Sequence, residues 1–169
     1  MTIMGIGSDQ QSWKPEDEKI KSLQARYREG ERNFQQADLR RANLNKAKLE
    51  DANFSEANLY KANLKKANLQ RACLNRAILY GVELPEANLY RASLIEADLF
   101  GANLKKAVLK HANLSGANLR GANLCGADLV WANLRRANLK NARLDGADLS
   151  GAKFCQTILP DGSIRNDDC

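Results

Sequence analysis

The chain has 169 residues and a formal net charge of +6 at pH 7, and this length is enough for one domain with a core of its own. No apolar run is long enough for a secretory signal peptide or a membrane-spanning helix, so we expect a soluble, cytoplasmic protein rather than a secreted or membrane one. The moderate positive charge favours acidic partners without selecting one.

The segment before the repetitive part of the chain is predicted to contain one short helix. Residues 1–12 are expected to be disordered. Within residues 13–31, Pro15 suits the first position of a helix, acidic residues follow it and Gly30 ends the segment. The apolar side chains of one helix face are Ile20, Leu23 and Tyr27. We predict an amphipathic helix that caps the first edge of the following fold.

An apolar residue recurs at every fifth position from residue 34 to residue 159. All 26 of these central positions hold Leu or Phe; the residue two places earlier is Ala in 23 repeats, and the residue directly before is Asn or Asp in 17. A step of five would spread leucines around a helix and send them to alternate faces of a strand. With a bend in each repeat, four repeats close a square coil of about 20 residues, and coils stack about 4.8 Å apart.

The segments "ADLRRANLNKAKLEDANF" and "ANLSGANLRGANLCGADL" follow the pattern A-(D/N)-L-x-x almost letter for letter. Over residues 32–159 the chain therefore resembles the pentapeptide-repeat family, and its ending "TILPDGSI" is similar to that of cyanobacterial members. The resemblance implies an all-β fold, a right-handed quadrilateral β-helix, without catalytic activity or a cofactor. It also implies an interaction or regulatory module or, in members that resemble DNA, a modulator of a DNA-acting enzyme such as gyrase.

Three local features carry further expectations. Pro85, in "GVELPE", lacks a backbone donor and predicts a local kink. His111 is the only histidine and lies on the outer wall without convergent partners, so no catalytic site is predicted. A turn at residues 160–162 is predicted to end the repeats within the C-terminal segment 160–169, with residues 166–169 loose.

The four cysteines do not form a close pair, so no metal site is predicted. Wall positions pair vertically only when they are about 20 residues apart, and no two of the cysteines have that spacing. We therefore expect free thiols, and only the tail residue Cys169 could reach another cysteine. The cysteines are Cys73, Cys125, Cys155 and Cys169.

One vertical column of outward positions differs from the rest, and Ile78 lies beside it. The residue pattern leaves two interpretations open: a ladder of rings that stabilises coil stacking, or a stripe that binds a partner. A lesser apolar patch lies on another face, with Tyr90 nearby, and a homodimer through either surface is left open. The column is Arg40, Tyr60, Tyr80, Phe100, Arg120 and Lys140, and the lesser patch is Val108, Val130 and Trp131.

Charge is divided unevenly along the chain. Residues 32–159 contain 20 Lys and Arg against 11 Asp and Glu, whereas the two termini together contain 6 against 9. DNA mimicry needs rows of negative charge, so it fits this chain poorly. We predict a non-catalytic scaffold or regulatory module that binds another protein through its outer wall, with Tyr60, Tyr80 and Phe100 as the best surface. A basic rod that binds nucleic acid is the alternative.

Many of the remaining wall charges alternate in sign along vertical columns. Such columns would pair across coils and oppose register slips, each pair contributing less than about 1 kcal/mol. The two clearest are Glu56, Arg76 and Glu96, and Lys66, Glu86 and Lys106.

Overall fold

A computed structural model describes residues 16–169, with side chains from residue 20 onward. The predicted disordered segment 1–12 and Pro15 lie outside the described residues. Helix α1 covers Glu16–Arg28, and two short strands follow the repeats, β1 at Thr157–Ile158 and β2 at Ile164–Arg165. No helix within residues 16–169 has both the length and the apolar character needed to cross a membrane.

The repeats between α1 and β1 coil into a stack with a period of 20 residues. Single parallel β-bridges join each residue before a centre to its counterpart 20 positions later, without a gap from Asn33↔Asn53 to Asn138↔Ile158. The predicted coil length is therefore confirmed. Each bridge is one residue wide because the chain turns again after every centre, so the walls contain no extended strands.

The corners of the coil are four-residue turns closed by a backbone hydrogen bond, except at residues 154–157, where the carbonyl of Phe154 accepts from the N–H of Asp168 instead. In one such turn the N–H of Ala67 donates to the carbonyl of Leu64 at 3.0 Å. The third residue of the turn, two places after the centre, has a positive φ, as at Lys66 with 56°. Among residues 16–169, all 18 non-glycine residues with positive φ occupy this position. Such a backbone resembles a type II turn, which normally favours glycine there.

The core is the axis of the stack. Between residues 52 and 139, every central residue and every residue two places before a centre is at most 1% exposed. Phe34 and Phe54 stack in the first two coils with their ring centroids 5.4 Å apart. Helix α1 adds Leu23, which is buried, and the partly buried Ile20 and Tyr27 to the same apolar cluster.

The kink predicted at Pro85 does not occur. The bridge Glu83↔Asn103 is in register, and the N–H groups of Glu83, Leu84 and Glu86 all donate to backbone carbonyls of neighbouring coils at 2.8 to 2.9 Å. Within the repeats, the N–H of the residue directly after a centre donates to no backbone carbonyl. Proline at that position therefore removes no inter-coil hydrogen bond, and its fixed φ suits the second position of the turn.

The C-terminal tail is anchored, contrary to the expectation that residues 166–169 are loose. The N–H of Asp168 donates to the carbonyl of Phe154 at 2.7 Å, and the Asp168 carboxylate accepts from the N–H of Phe154 at 2.8 Å. Cys155 and Cys169 form a disulfide, so the expectation of free thiols is wrong for this pair. The requirement of a 20-residue spacing applies only to residues on the wall of the coil, and Cys169 lies in the tail, which is no longer part of the wall. Cys73 and Cys125 are free, as expected.

Candidate protein-binding surface

The three aromatic residues of the column stack one above another on one face of the rod. The ring centroids of Tyr60 and Tyr80 lie 5.6 Å apart, and those of Tyr80 and Phe100 lie 5.2 Å apart, with interplanar angles of 24° and 9°. The vertical spacing of coils is close to that of offset-stacked rings. We call Tyr60, Tyr80 and Phe100, together with Ile78, the aromatic stripe.

A side-chain oxygen holds the backbone N–H at two of the three rings of the aromatic stripe. The side chain of Asn58 accepts from the N–H of Tyr60 at 3.1 Å, and that of Asp98 accepts from the N–H of Phe100 at 3.2 Å. Ile78 replaces this Asn or Asp in the middle coil and bridges to Asn58 and Asp98. Since Ile78 offers an apolar side chain there, the centre of the stripe is its least polar part.

The middle of the aromatic stripe is also its most exposed part. Tyr80 is 39% exposed and Ile78 is 42% exposed, whereas Tyr60 and Phe100 are half-buried. Large apolar side chains with this exposure are uncommon on this wall, where most outward positions are polar. An exposed apolar centre with a polar border is the arrangement that interfaces use.

Cations border the aromatic stripe, but only one of the two predicted cations contacts a ring. The guanidinium of Arg120 lies 5.8 Å from the ring centroid of Phe100. Arg40 instead forms an ion pair with Asp38 at 2.8 Å, which raises the pKa of its guanidinium. The ammonium of Lys61, which lies outside the column, takes the place expected for Arg40, 5.2 Å from the ring centroid of Tyr60.

In the lesser patch, only Trp131 is more exposed than the centre of the aromatic stripe. Trp131 is 56% exposed, and its ring packs flat over Gly151, where a methyl group would come within 2.6 Å of the ring. Val108 is 36% exposed, and the rings of His111 and Tyr90 lie edge to face at 5.8 Å between centroids.

No group of side chains within the described residues has the composition to hold a metal ion.

The predicted charge columns form ion pairs in part. Arg76 pairs with Glu96 at 2.9 Å, and Lys66 pairs with Glu86 at 3.4 Å, each across 20 residues. A pair that was not expected joins Asp51 and Arg71, and its hydrogen bond holds the pKa of Asp51 below its ordinary value. About half of each side chain is exposed to solvent, so these pairs set the register more than they add stability.

The family model described as pentapeptide repeats matches the chain in eight copies, in overlapping segments that run from residue 33 to residue 160. The chain belongs to the pentapeptide-repeat family. Members of this family fold as right-handed quadrilateral β-helices, and the 20-residue coils described above have the period that this fold requires.

Solved structures of other pentapeptide-repeat proteins are similar to the chain. HetL of the cyanobacterium Nostoc sp. strain PCC 7120, involved in heterocyst differentiation regulation, is 29% identical over 85% of this chain and 98% of its own, with a TM-score of 0.30. Rfr23 of the cyanobacterium Cyanothece 51142 is 31% identical over 75% and 87%, with a TM-score of 0.41. QnrB1, a plasmid-mediated fluoroquinolone resistance protein, is 24% identical over 72% and 79%, with a TM-score of 0.32. None of the curated proteins matches.

Proposed function

We propose that the protein is a non-catalytic scaffold that binds another protein through the outer wall of its β-helix, with the aromatic stripe as the contact surface. Its central contacts are Tyr60, Tyr80, Phe100 and Ile78, and the cations Arg40 and Arg120 belong to its rim. The observation that carries this proposal is the exposed, continuous stack of rings across three coils.

Rigidity supports this proposal. Each ring is attached to a backbone that bonds to the coils above and below, as at Leu79, whose N–H donates to Asp98 at 2.8 Å. The rings also restrict one another by stacking. A surface that is ordered before binding loses little conformational entropy when a partner docks, so more of the burial energy appears as affinity.

The chemistry of the stripe predicts the character of its partner. Aromatic rings are enriched at the centres of protein interfaces and often dominate the binding energy. Arg120 and Lys61, each beside a ring, would favour acidic groups at the border of the partner surface. We therefore expect a partner that presents apolar side chains flanked by Asp or Glu.

The test is affinity capture from a nuclease-treated lysate of the source organism. The bait is the intact chain, compared with a variant that carries Tyr60→Ser, Tyr80→Ser and Phe100→Ser. A matched control removes three side chains from the other face by Tyr90→Ser, Val108→Ser and Trp131→Ser. Circular dichroism and a thermal midpoint establish that each bait is folded.

The expected result is a protein captured by the intact chain and by the control but lost from the stripe variant. If the stripe variant captures the same proteins, the rings serve only as a ladder between coils and the proposal fails. Loss from the control alone would move the contact to the lesser patch. A large drop in the thermal midpoint of the stripe variant would measure how much the ladder itself contributes.

Nucleic-acid binding is the second candidate, and the excess of cations in residues 32–159 favours it. Affinity for nucleic acid falls steeply with salt because phosphate contacts release counterions. The measurement is fluorescence anisotropy with labelled single-stranded and duplex DNA at two salt concentrations. Tight binding with a steep salt slope would support this candidate, and weak binding at low salt would exclude it.

We also propose the cytoplasm as the location, on the sequence argument given above. The disulfide between Cys155 and Cys169 is unusual for a reducing compartment. Alkylation of thiols in freshly lysed cells tests the location directly. Four labelled cysteines support a reducing cytoplasm, whereas two labelled cysteines indicate an oxidising compartment.

A further inference from the structure

A cleft of about 470 Å³ lies between helix α1 and the first coils, away from the aromatic stripe. Its helix wall contains Gln24, Tyr27 and Arg28, and the opposite wall contains residues 45–48, with Arg32 between the two. This volume is in the range of sites that bind small molecules. Four of the eight lining residues are cations, and none is acidic: the cations are Arg28, Arg32, Lys46 and Lys48.

Two carboxylates beside the cleft, those of Glu50 and Asp51, form hydrogen bonds. Glu50 accepts hydrogen bonds from the hydroxyl of Tyr27 at 3.0 Å and from the amide of Asn68 at 2.6 Å. Burial, followed by this bond to Glu50, raises the pKa of Tyr27, so its phenol stays protonated and keeps donating. Asp51 is paired with Arg71. Both carboxylates keep their negative charge, and Asp51 also attracts Arg32, but neither lines the cleft, so its four cations remain in excess.

Among the side chains that the structure describes, the cations on the two outer walls have no acidic partner of their own. Within residues 20–169, no carboxylate oxygen lies within 4 Å of the charged groups of Arg28, Lys46 or Lys48. Three like charges around one cleft repel one another and attract an anion from solution.

Arg32 is held in place before any ligand arrives. Its guanidinium lies 3.8 Å from the centroid of the Tyr27 ring, and its Nη1 donates to the carbonyls of Tyr27 at 2.8 Å and Glu31 at 2.9 Å. Within the described residues, no hydrogen bond uses its Nε or Nη2. Those are the two atoms of the fork that binds phosphate and carboxylate groups in bidentate fashion.

The repeat pattern is broken at two of these cations. Arg32 stands where 23 of the 26 repeats have Ala, and Lys48 stands where 17 repeats have Asn or Asp. Neither side chain can play the part that is usual at its position: the Ala position faces the core in other repeats, and the Asn or Asp position supports the turn by accepting from the backbone. Both departures add positive charge to the same cleft.

We propose that this cleft is a binding site for a small anion that carries more than one phosphate group. Arg32 supplies the bidentate fork to one phosphate group, and Lys46, Lys48 and Arg28 supply point charges around it. Gln24 and Asn45 provide amide groups that can bind the remainder of the ligand. A single carboxylate would leave most of these charges uncompensated, which favours a phosphate-bearing ligand.

The experiment is isothermal titration calorimetry of the full chain with inorganic pyrophosphate. The cleft variant is Lys46→Gln with Lys48→Asn, in which Lys48→Asn restores the usual residue of the repeat and therefore keeps the fold. The matched control is Lys106→Gln with Lys153→Asn, which makes the same changes at equivalent repeat positions outside the cleft. A third variant, Arg32→Lys, keeps the charge but removes the fork.

We expect saturable binding of one pyrophosphate per chain, at least tenfold weaker in the cleft variant, weaker in Arg32→Lys and unchanged in the control. The proposal is overturned if the intact chain shows no saturable binding up to about 5 mM. Equal weakening in the cleft variant and the control would overturn it as well, because binding would then follow net charge alone.

The same titration with ADP distinguishes two sources of the phosphate groups, a nucleotide and an inorganic diphosphate. Tighter binding of ADP than of pyrophosphate assigns the site to nucleotides, with a contribution from the nucleoside. Equal binding of ADP and pyrophosphate assigns it to the phosphate groups alone. In both cases the proposal is supported only if the cleft variant loses the affinity.

Discussion

At the N-terminal end of the coil stack, helix α1 covers the first coil with apolar side chains, whereas at the C-terminal end the tail covers the last coil with hydrogen bonds and a disulfide. Leu23 is only 3% exposed in the first arrangement. In the second, Arg165 lies 3.9 Å from the ring centroid of Phe154, and Asp168 binds the backbone of the same residue on both sides.

The difference shows that the two caps depend on different physical terms. A helix covers a wide area, so its contribution is mostly apolar burial. The tail covers the Phe154 face but leaves Leu144 and Leu149 half-buried. A narrow cap buries little surface, so its attachment depends on the cross-link between Cys155 and Cys169. Substitutions at the two ends should therefore respond differently to reducing conditions.

The largest effect is expected for Leu23→Ala at the N-terminal end. Loss of a buried leucine side chain lowers the free energy of unfolding by about 3 kcal/mol. Urea denaturation followed by circular dichroism measures this change. Ile164→Ala at the opposite end is the control, since Ile164 is 64% exposed, and its effect should stay below about 0.5 kcal/mol. If Leu23→Ala lowers the free energy of unfolding as little as Ile164→Ala does, the packing of α1 does not contribute to stability.

Removal of the disulfide by Cys155→Ser with Cys169→Ser should come next, with a loss of about 2–3 kcal/mol from the freedom that the unfolded chain regains. Reductant should reproduce this loss in the intact chain and have no effect on the variant. The change caused by Leu23→Ala should be the same with and without reductant, because the two sites are distant. A denaturation midpoint of the intact chain that reductant does not move would contradict this account of the C-terminal cap.

A pair of substitutions at the left-handed turn position compares the coils near each end. Gly151→Ala should cost about 1–2 kcal/mol, because φ is 67° there and the added methyl group would displace the Trp131 ring. Arg41→Gly, where φ is 58°, should stabilise by up to about 1 kcal/mol. Thermal denaturation measures both changes, and Trp fluorescence reports the displaced ring. Destabilisation by Arg41→Gly would show that its side chain, not its backbone, matters.

The smallest effect is expected for Asp168→Ala, which leaves the N–H of Phe154 without its acceptor and should cost about 1 kcal/mol. In the background without the disulfide the same substitution should cost less, because the tail is then already loosened. A double-mutant cycle in urea measures this coupling. Strict additivity would mean that hydrogen bonds and disulfide hold the tail independently.

The interior of the rod could be predicted from the repeat pattern, while its surface contacts could be predicted only in part. The spacing of Leu and Ala was sufficient to place every core residue between residues 52 and 139. The stacking of Tyr60, Tyr80 and Phe100 followed from their separation of 20 residues. The partner of Arg40 could not be predicted in this way. Its long side chain can reach either Asp38 or a ring, and the register of the columns does not give the distances that decide between them.

What the sequence by itself determined is the period, because a five-residue repeat of apolar and small residues has one way to bury every leucine. That period already defines the coils, the core and the vertical columns of the wall. The tertiary structure decided everything that depends on non-repeating segments and on exact backbone angles. It gave the residue two places after each centre from Phe34 to Phe154 a left-handed backbone, left the inter-coil hydrogen bonds intact at Pro85 and brought Cys169 to Cys155. It also set helix α1 against the first coils, and only that placement brings Arg28 and Arg32 into one cleft with Lys46 and Lys48.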